Sequence, residues 1–580
     1  MFDRRHFVGL FAGTTFAGTR LPEVLWEAVQ DEPESPITVA MIEGAEQIAG
    51  LEMTSDEREM MRSGLGRYLE SYRALRSIDI PNAVPPALSF EPDMPGVGAT
   101  LPEGPDRVRP TRWQRVARPT DSDELAFMPV TRLARLLRGR KVSSVELTDL
   151  YLERLERYDP AFLFTVNLTA ERAQRQARRA DREIAAGNHR GPLHGIPWGA
   201  KDLLSVKGYP TTWGAAPYRE QVISEDATVV SRLDDAGAVL VAKLTMGALA
   251  MGDYWYGGRT RNPWNQEEGS SGSSAGPGSA TAAGCVGFGM GTETRGSIVS
   301  PSSRNGVSGF RPTFGRVSRA GAMALSWSMD KIGPMCRSVE DCALVFAAIH
   351  GADGIDPSAR DVSFSWDAYS DVRGLRVGFL EAAFEADEDY ANRSFDLETL
   401  RVLREDLGLH MEPVQMPDFP IEAIGFVLMA EAAAAFDDLT RSGRDDQLTR
   451  QTRGSWPNSF RTARLIPAVE YIQANRARTL YMQQFAEVLH DFDVVVAPSF
   501  RKGVVGATNL TGHPCVVVPN GFEDDGTPVS ISFIGNLYRD SEALTVAHAY
   551  QQATDFHRRH PILESLPALP ATPATSREHP

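Results

Sequence analysis

Three short stretches carry the residues with chemistry to offer. The first, residues 195–202, reads GIPWGAKD and sets Lys201 in apolar surroundings. Withdrawing a lysine ammonium from water lowers its pKa, so a buried Lys201 is a base near neutral pH. The second, residues 269–279, reads GSSGSSAGPGS, a composition that by itself describes a flexible linker. Two features oppose that reading: its flanks look structured, and a third glycine-rich stretch, GTETRGSI at 291–298, follows at once. Glycines beside a serine in a tight turn let backbone N–H groups converge on one point. That is what a developing oxyanion requires. A lysine base and oxyanion donors together point to chemistry at a carbonyl group.

These turns need a scaffold to hold them. After residue 127, short apolar runs alternate with helical segments, the pattern of an α/β fold with a covered sheet. Ser143 to Glu146 form a capping box that starts a helix carrying Leu147, Leu150, Tyr151 and Leu155 on one face. An Ala- and Arg-rich helix covers 170–186 and stops at Gly187. Asp226 is placed to cap a helix through Leu233, and AVLVA at 238–242 reads as a buried strand. The runs 492–497 and 515–518 read as further strands.

Ahead of this domain, residues 37–80 read as a helical hairpin. Thr54 and Glu57 supply a capping box, and Met61, Leu65, Leu69, Tyr72 and Leu75 recur at helical spacing. Residues 81–110 contain eight prolines, so 81–126 reads as an extended linker wrapping over a catalytic domain at 127–562.

The chain has 580 residues, enough to bury a large core, and a formal net charge of -16. That charge argues against binding nucleic acid, which needs Lys and Arg to displace phosphate counterions. No stretch approaches the roughly 18 to 20 apolar residues of a membrane span. Cys285, Cys336, Cys342 and Cys515 form no CxxC pair and read as small buried hydrophobes. No nucleotide loop occurs, so no cofactor and no metal are expected. Arg4-Arg5 followed by a short apolar run to Gly18 resembles a twin-arginine export signal over 1–30. The expected location is periplasmic or secreted, with cytoplasmic as the alternative. The proline-rich end, 563–580, is expected to be disordered.

Several segments, in order, resemble the amidase-signature family over about residues 127–560. They are residues 195–202, 260–264 (TRNPW), 269–279, 291–298, 309–318 (GFRPTFGRVS), 330–334 (DKIGP) and 509–514 (NLTGHP). The resemblance implies an α/β amidase-signature fold, a mixed central sheet covered by helices on both faces, plus the N-terminal helical segment. It implies a Ser-cisSer-Lys triad: Lys201 the base, Ser273 the relay after a cis peptide, and Ser297, 24 residues further on, the nucleophile. The backbone N–H groups of Thr294, Arg295, Gly296 and Ser297 then form the oxyanion hole. The implied function is hydrolysis of a carboxamide or related acyl bond (aryl amide, carbamate or ester) through an acyl-enzyme. The implied partner is a small-molecule substrate, with the chain a monomer or homodimer.

Arg295 stands where most members have Gly, and Glu293 and Val299 resemble the branch that includes peptide amidases. Residues 48–57 resemble the small C subunit of tRNA-dependent amidotransferase, which keeps an amidotransferase role in view as the alternative. Against it, Gly247-Ala248 stands where the catalytic components of such amidotransferases usually have Asp-Glu. The stretch 351–491 resembles the family least and is expected to build the pocket walls. Its run 428–436 reads as a helix that packs in the core or lines an acyl pocket.

Overall fold

The computed structural model describes residues 35–78, 90–92, 98–99, 101–112, 116–385 and 390–563. The leader expected at 1–30, the tail beyond residue 563, and residues 79–89 and 93–97 of the proline-rich stretch lie outside the described residues. At the centre is an 11-stranded mixed sheet. From one edge its order is Met411–Val414, Val377–Leu380, Val494–Pro498, Pro528–Gly535, Cys515–Phe522, Ser308–Arg311, Lys331–Cys336, Phe288–Glu293, Pro197–Lys201, Val239–Leu244 and Thr165–Leu168. Helices flank the sheet, so the fold is the mixed α/β architecture expected from the alternating apolar runs. Four central strands, Val239–Leu244, Phe288–Glu293, Lys331–Cys336 and Pro197–Lys201, are buried along their whole length. This explains why they read as continuous apolar or small-residue runs rather than alternating ones.

The register decides where the chemistry falls. Pro197–Lys201 runs parallel to Phe288–Glu293, with Trp198 opposite Phe288 and Ala200 opposite Met290. Phe288–Glu293 runs antiparallel to Lys331–Cys336, with Thr292 opposite Ile332 and Glu293 opposite Lys331. Lys201, Thr292, Glu293 and Lys331 therefore meet at one end of three adjacent strands, beyond the carboxyl ends of the parallel pair, where open α/β sheets place their sites. The helix Ala275–Ala282 lies wholly buried nearby and is built almost entirely of small residues. A Cβ on Gly276 would sit 2.4 Å from the Thr245 backbone nitrogen, so only glycine lets this helix approach the strand end so closely.

The N-terminal helices Val39–Ala49 and Ser55–Arg76 pack on the domain's own helices. The Thr54–Glu57 capping box is formed, and Met61, Tyr72 and Leu75 are buried on one face. The Tyr72 ring meets Phe426 edge-on at 5.6 Å, and Arg461 joins Glu57 and Asp445 at 2.7 Å each. Further on, Arg107–Arg109 pairs in parallel with Ser365–Asp367.

One expectation needs correction. The helix Thr228–Asp235 starts from Ala227 with no side-chain cap. Asp226 instead pairs with Arg172 at 2.9 Å and accepts from the Lys207 backbone N–H at 2.7 Å, because a guanidinium competes effectively for a capping carboxylate. The stretch 351–491, expected to wall a pocket, also supplies two strands of the sheet, Val377–Leu380 and Met411–Val414. Within it, the helix Phe426–Ala435 packs in the core through Phe426, Val427, Leu428 and Ala432. Among the described residues no helix is long and apolar enough to cross a membrane.

Candidate active site

Lys201 ends its strand fully buried. Its Nζ lies 2.8 Å from Ser273 Oγ, 3.0 Å from Ser274 Oγ and 2.8 Å from Thr292 Oγ1. Among the described residues no carboxylate touches it. Burial holds its pKa well below 10.5, and the more distant charges of Asp330 and Glu293 oppose that shift without cancelling it. A neutral amine offers two N–H donors and one lone pair. The Ser274 hydroxyl donates to the Thr292 carbonyl at 3.1 Å, so it can only accept from Lys201. With Thr292 Oγ1 as the second acceptor, the lone pair is left for the Ser273 O–H. Sequence reading does not single out Ser274 or Thr292. The doubled serine at 273–274 is the available signal for the first, and nothing local marks Thr292.

Ser273 is buried and follows Gly272 through a cis peptide bond. Ser297 is half-buried, and its carbonyl accepts from the Ser274 backbone N–H at 3.2 Å, which ties the two serine turns together. Gly296 has φ +105°, a backbone that side chains rarely adopt, and it turns the chain into Ser297. The next two amides, of Ile298 and Val299, are held by Glu293 Oε2 at 2.8 and 2.9 Å. Among the described residues, the N–H groups of Arg295, Gly296 and Ser297 donate to no protein acceptor. The Thr294 hydroxyl donates to Asp330 Oδ1 at 2.6 Å, and Asp330 Oδ2 accepts from the Leu325 and Ser326 amides at 2.8 and 2.9 Å. The Arg295 side chain is exposed and pairs with Glu422 at 3.2 Å.

Glu293, which the sequence marks only as a branch feature, organises the turn. Its carboxylate is fully buried and meets Arg311 at 2.6 Å and Asn509 at 2.7 Å, besides the two amides. Burial pushes its carboxyl pKa up; the Arg311 guanidinium and the hydrogen bonds outweigh this and bring it to about 2. Arg311 also reaches the His513 carbonyl at 2.9 Å. The segments 309–318 and 509–514, far apart in the chain, therefore converge on the carboxylate that fixes the turn after Ser297. Glu293→Gln keeps the size but loses the charge facing Arg311. It should lower kcat about 10-fold to 100-fold through a displaced turn, as the loss of a partner supporting a catalytic group does. KM should move by less than about threefold, because the substrate does not touch this carboxylate. Steady-state kinetics of the variant check this, and an unchanged kcat would remove Glu293 from the positioning of Ser297.

A cavity of about 390 Å³ opens at the Thr292, Thr294 and Asp330 side of the site, with Lys201, Ser273 and Ser297 outside its lining. Thr292, Thr294 and Asp330 line its inner side, and Phe314, Met323 and Leu325 give it an apolar wall. Among the described residues of the stretch 351–491, 355–358 reach it, so the expected pocket walls come mainly from residues 314–332 instead. The reason is topological: the segment before the strand Lys331–Cys336 leaves the sheet on the site's side.

At the end of a large mixed α/β sheet, a buried lysine lies against the first of two linked serine turns. Residues 146–544 match the amidase family, and the chain belongs to it. It is an amidase-signature enzyme acting on carbon–nitrogen bonds. The A subunit of the glutamyl-tRNA(Gln) amidotransferase of Roseiflexus sp. (strain RS-1) is 34% identical over 473 residues, covering 74% of this chain and 96% of its own length. Its counterpart in Moorella thermoacetica is 32% identical over 76% of this chain and 99% of its own. Among solved structures, the peptide amidase of Stenotrophomonas maltophilia superimposes with a TM-score of 0.67 at 29% identity, covering 76% of this chain and 99% of that one.

Proposed function

We propose that this chain is a stand-alone amidase that hydrolyses a carboxamide or related acyl bond through Ser297. The observation that carries the reading is the 2.8 Å approach of a wholly buried Lys201 to Ser273, in a site tied to the Ser297 turn. Neutral Lys201 takes the proton of Ser273 as Ser273 takes that of Ser297, and Ser297 Oγ attacks the carbonyl carbon. The N–H groups of Thr294, Arg295, Gly296 and Ser297 receive the oxyanion. The proton returns to the leaving nitrogen, the C–N bond breaks, and water releases the acyl group by the same relay in reverse.

A second reading, an amidotransferase component working with a partner, draws on the 34% identity to the Roseiflexus amidotransferase protein over almost its whole length. The loop at Gly247 weighs against it. A Cβ there would meet the Gly252 carbonyl oxygen at 2.0 Å, so this backbone excludes the aspartate usual in those amidotransferases. The test is hydrolysis of a panel, containing a p-nitroanilide, a peptide amide and an aryl carbamate, by the purified chain alone. Turnover without any partner is the expected result. Activity that appears only with the other amidotransferase components added would reverse the choice.

A further inference from the structure

One wall of the cavity comes from outside the segment matched to the family. Phe90 and Glu91, from the N-terminal stretch, line it, while the family match begins at residue 146. Phe90 is 6% exposed and held from two sides. Its ring meets Phe314 edge-on at 4.8 Å, and the Arg478 guanidinium lies 3.9 Å from its centroid. Arg478 is itself fixed, donating to the Leu510 carbonyl at 2.7 Å and to Ser328 Oγ at 2.8 Å. Glu91 forms an ion pair with Arg360, which anchors the backbone next to Phe90. The aromatic face is therefore built into the domain.

The charges around the cavity say what kind of group it takes. Arg319 pairs with Asp356 at 3.0 Å, and Glu91 pairs with Arg360. Lys331 Nζ donates to the Met329 carbonyl, and Asp330 is occupied by Thr294 and two amides. Each charged side chain on the wall thus has a partner in the protein. The ion-paired Arg319, Asp356 and Glu91 offer a charged substrate group no free counter-ion, and the apolar lining favours an uncharged one. The open volume, about 390 Å³, falls in the size range of small-molecule sites, and Phe314, Met323 and Leu325 face it with Phe90.

We infer that Phe90 is a specificity-determining residue: it closes the substrate cavity and limits how far an uncharged apolar group of the amide can extend. The inference rests on the proposed site but is tested by binding. The experiment measures Kd by calorimetry for neutral N-aryl amides with straight acyl chains of increasing length. The proteins are the Ser297→Ala chain and the same chain carrying Phe90→Ala or Phe90→Trp. With Phe90→Ala, short members should bind as to the parent, members that just reach the wall about 10-fold more weakly from lost apolar contact, and members too long for the parent should now bind. With Phe90→Trp, the long members should be excluded and the short ones kept. A purely structural role for Phe90 would lower Tm yet shift every Kd by the same factor. That uniform shift, or the binding of no member to the parent, overturns the inference. Turnover that persists in the Ser297→Ala parent would instead overturn the assignment of the nucleophile, and it leaves the length dependence readable.

Discussion

Ser297→Ala should reduce kcat on any amide this chain hydrolyses by about 10³-fold or more, with KM within severalfold of the parent. The turn around Ser297 is held by groups the substitution does not touch. The Ile298 and Val299 amides stay on Glu293, and the Ser297 carbonyl stays on the Ser274 amide. Binding and the oxyanion donors thus survive while the attacking oxygen is lost, and the residual rate reports what those donors achieve alone. Ser273→Ala breaks the relay without removing the nucleophile and should fall by a comparable factor, because residues acting as one unit are not additive. The double variant should be little worse than either single one. Burst and steady-state kinetics on the most active panel member supply the numbers. A Ser297→Ala chain retaining a tenth of the parent kcat, at a protein purity that excludes contamination, would sink the assignment.

Lys201→Ala should lower kcat by about 10²-fold to 10⁴-fold, the usual range for a lost general base. Lys201→Arg should be no better, since a guanidinium stays protonated and cannot accept the Ser273 proton. The sign of the pH dependence follows from the environment. Burial depresses the Lys201 pKa well below 10.5, and only the neutral amine is the base. For the parent, kcat/KM should rise as pH increases through that depressed pKa and then level off. Without the burial, the rise would come near the ordinary lysine value. The pH profile of kcat/KM for parent and variant checks this. A parent profile that climbs only toward about pH 10, the range of an unperturbed lysine, would remove Lys201 as the group that titrates. A variant with the same acidic limb as the parent would do the same.

Much of this was legible in the chain itself. Continuous apolar runs such as AVLVA at 238–242 marked strands covered on both faces, since no alternation is needed where neither face meets water. Local caps were equally readable, because Thr54 and Glu57 close their hydrogen bonds within a single helical turn. The capping assigned to Asp226 failed for the same reason in reverse. Its competitor, Arg172, is 54 residues away and invisible to a local pattern. The candidate site divides along the same line. Lys201, Ser273 and Ser297 sit in distinctive short strings, whereas Ser274, Thr292, Glu293 and Asp330 acquire their tasks only from contacts across the sheet.

By itself, then, the sequence determined the α/β class, the family, and the three short stretches proposed to carry the chemistry, because these rest on residue type and spacing along the chain. The tertiary structure alone decided which groups meet. Strand register brings Lys201, Thr292 and Lys331 to one sheet end, and Arg311 and Asn509 converge on a buried carboxylate. It also decided that Phe90, far upstream, lines the cavity beside them. Such meetings join residues tens to hundreds of positions apart, through burial and hydrogen bonds that no short stretch of sequence specifies.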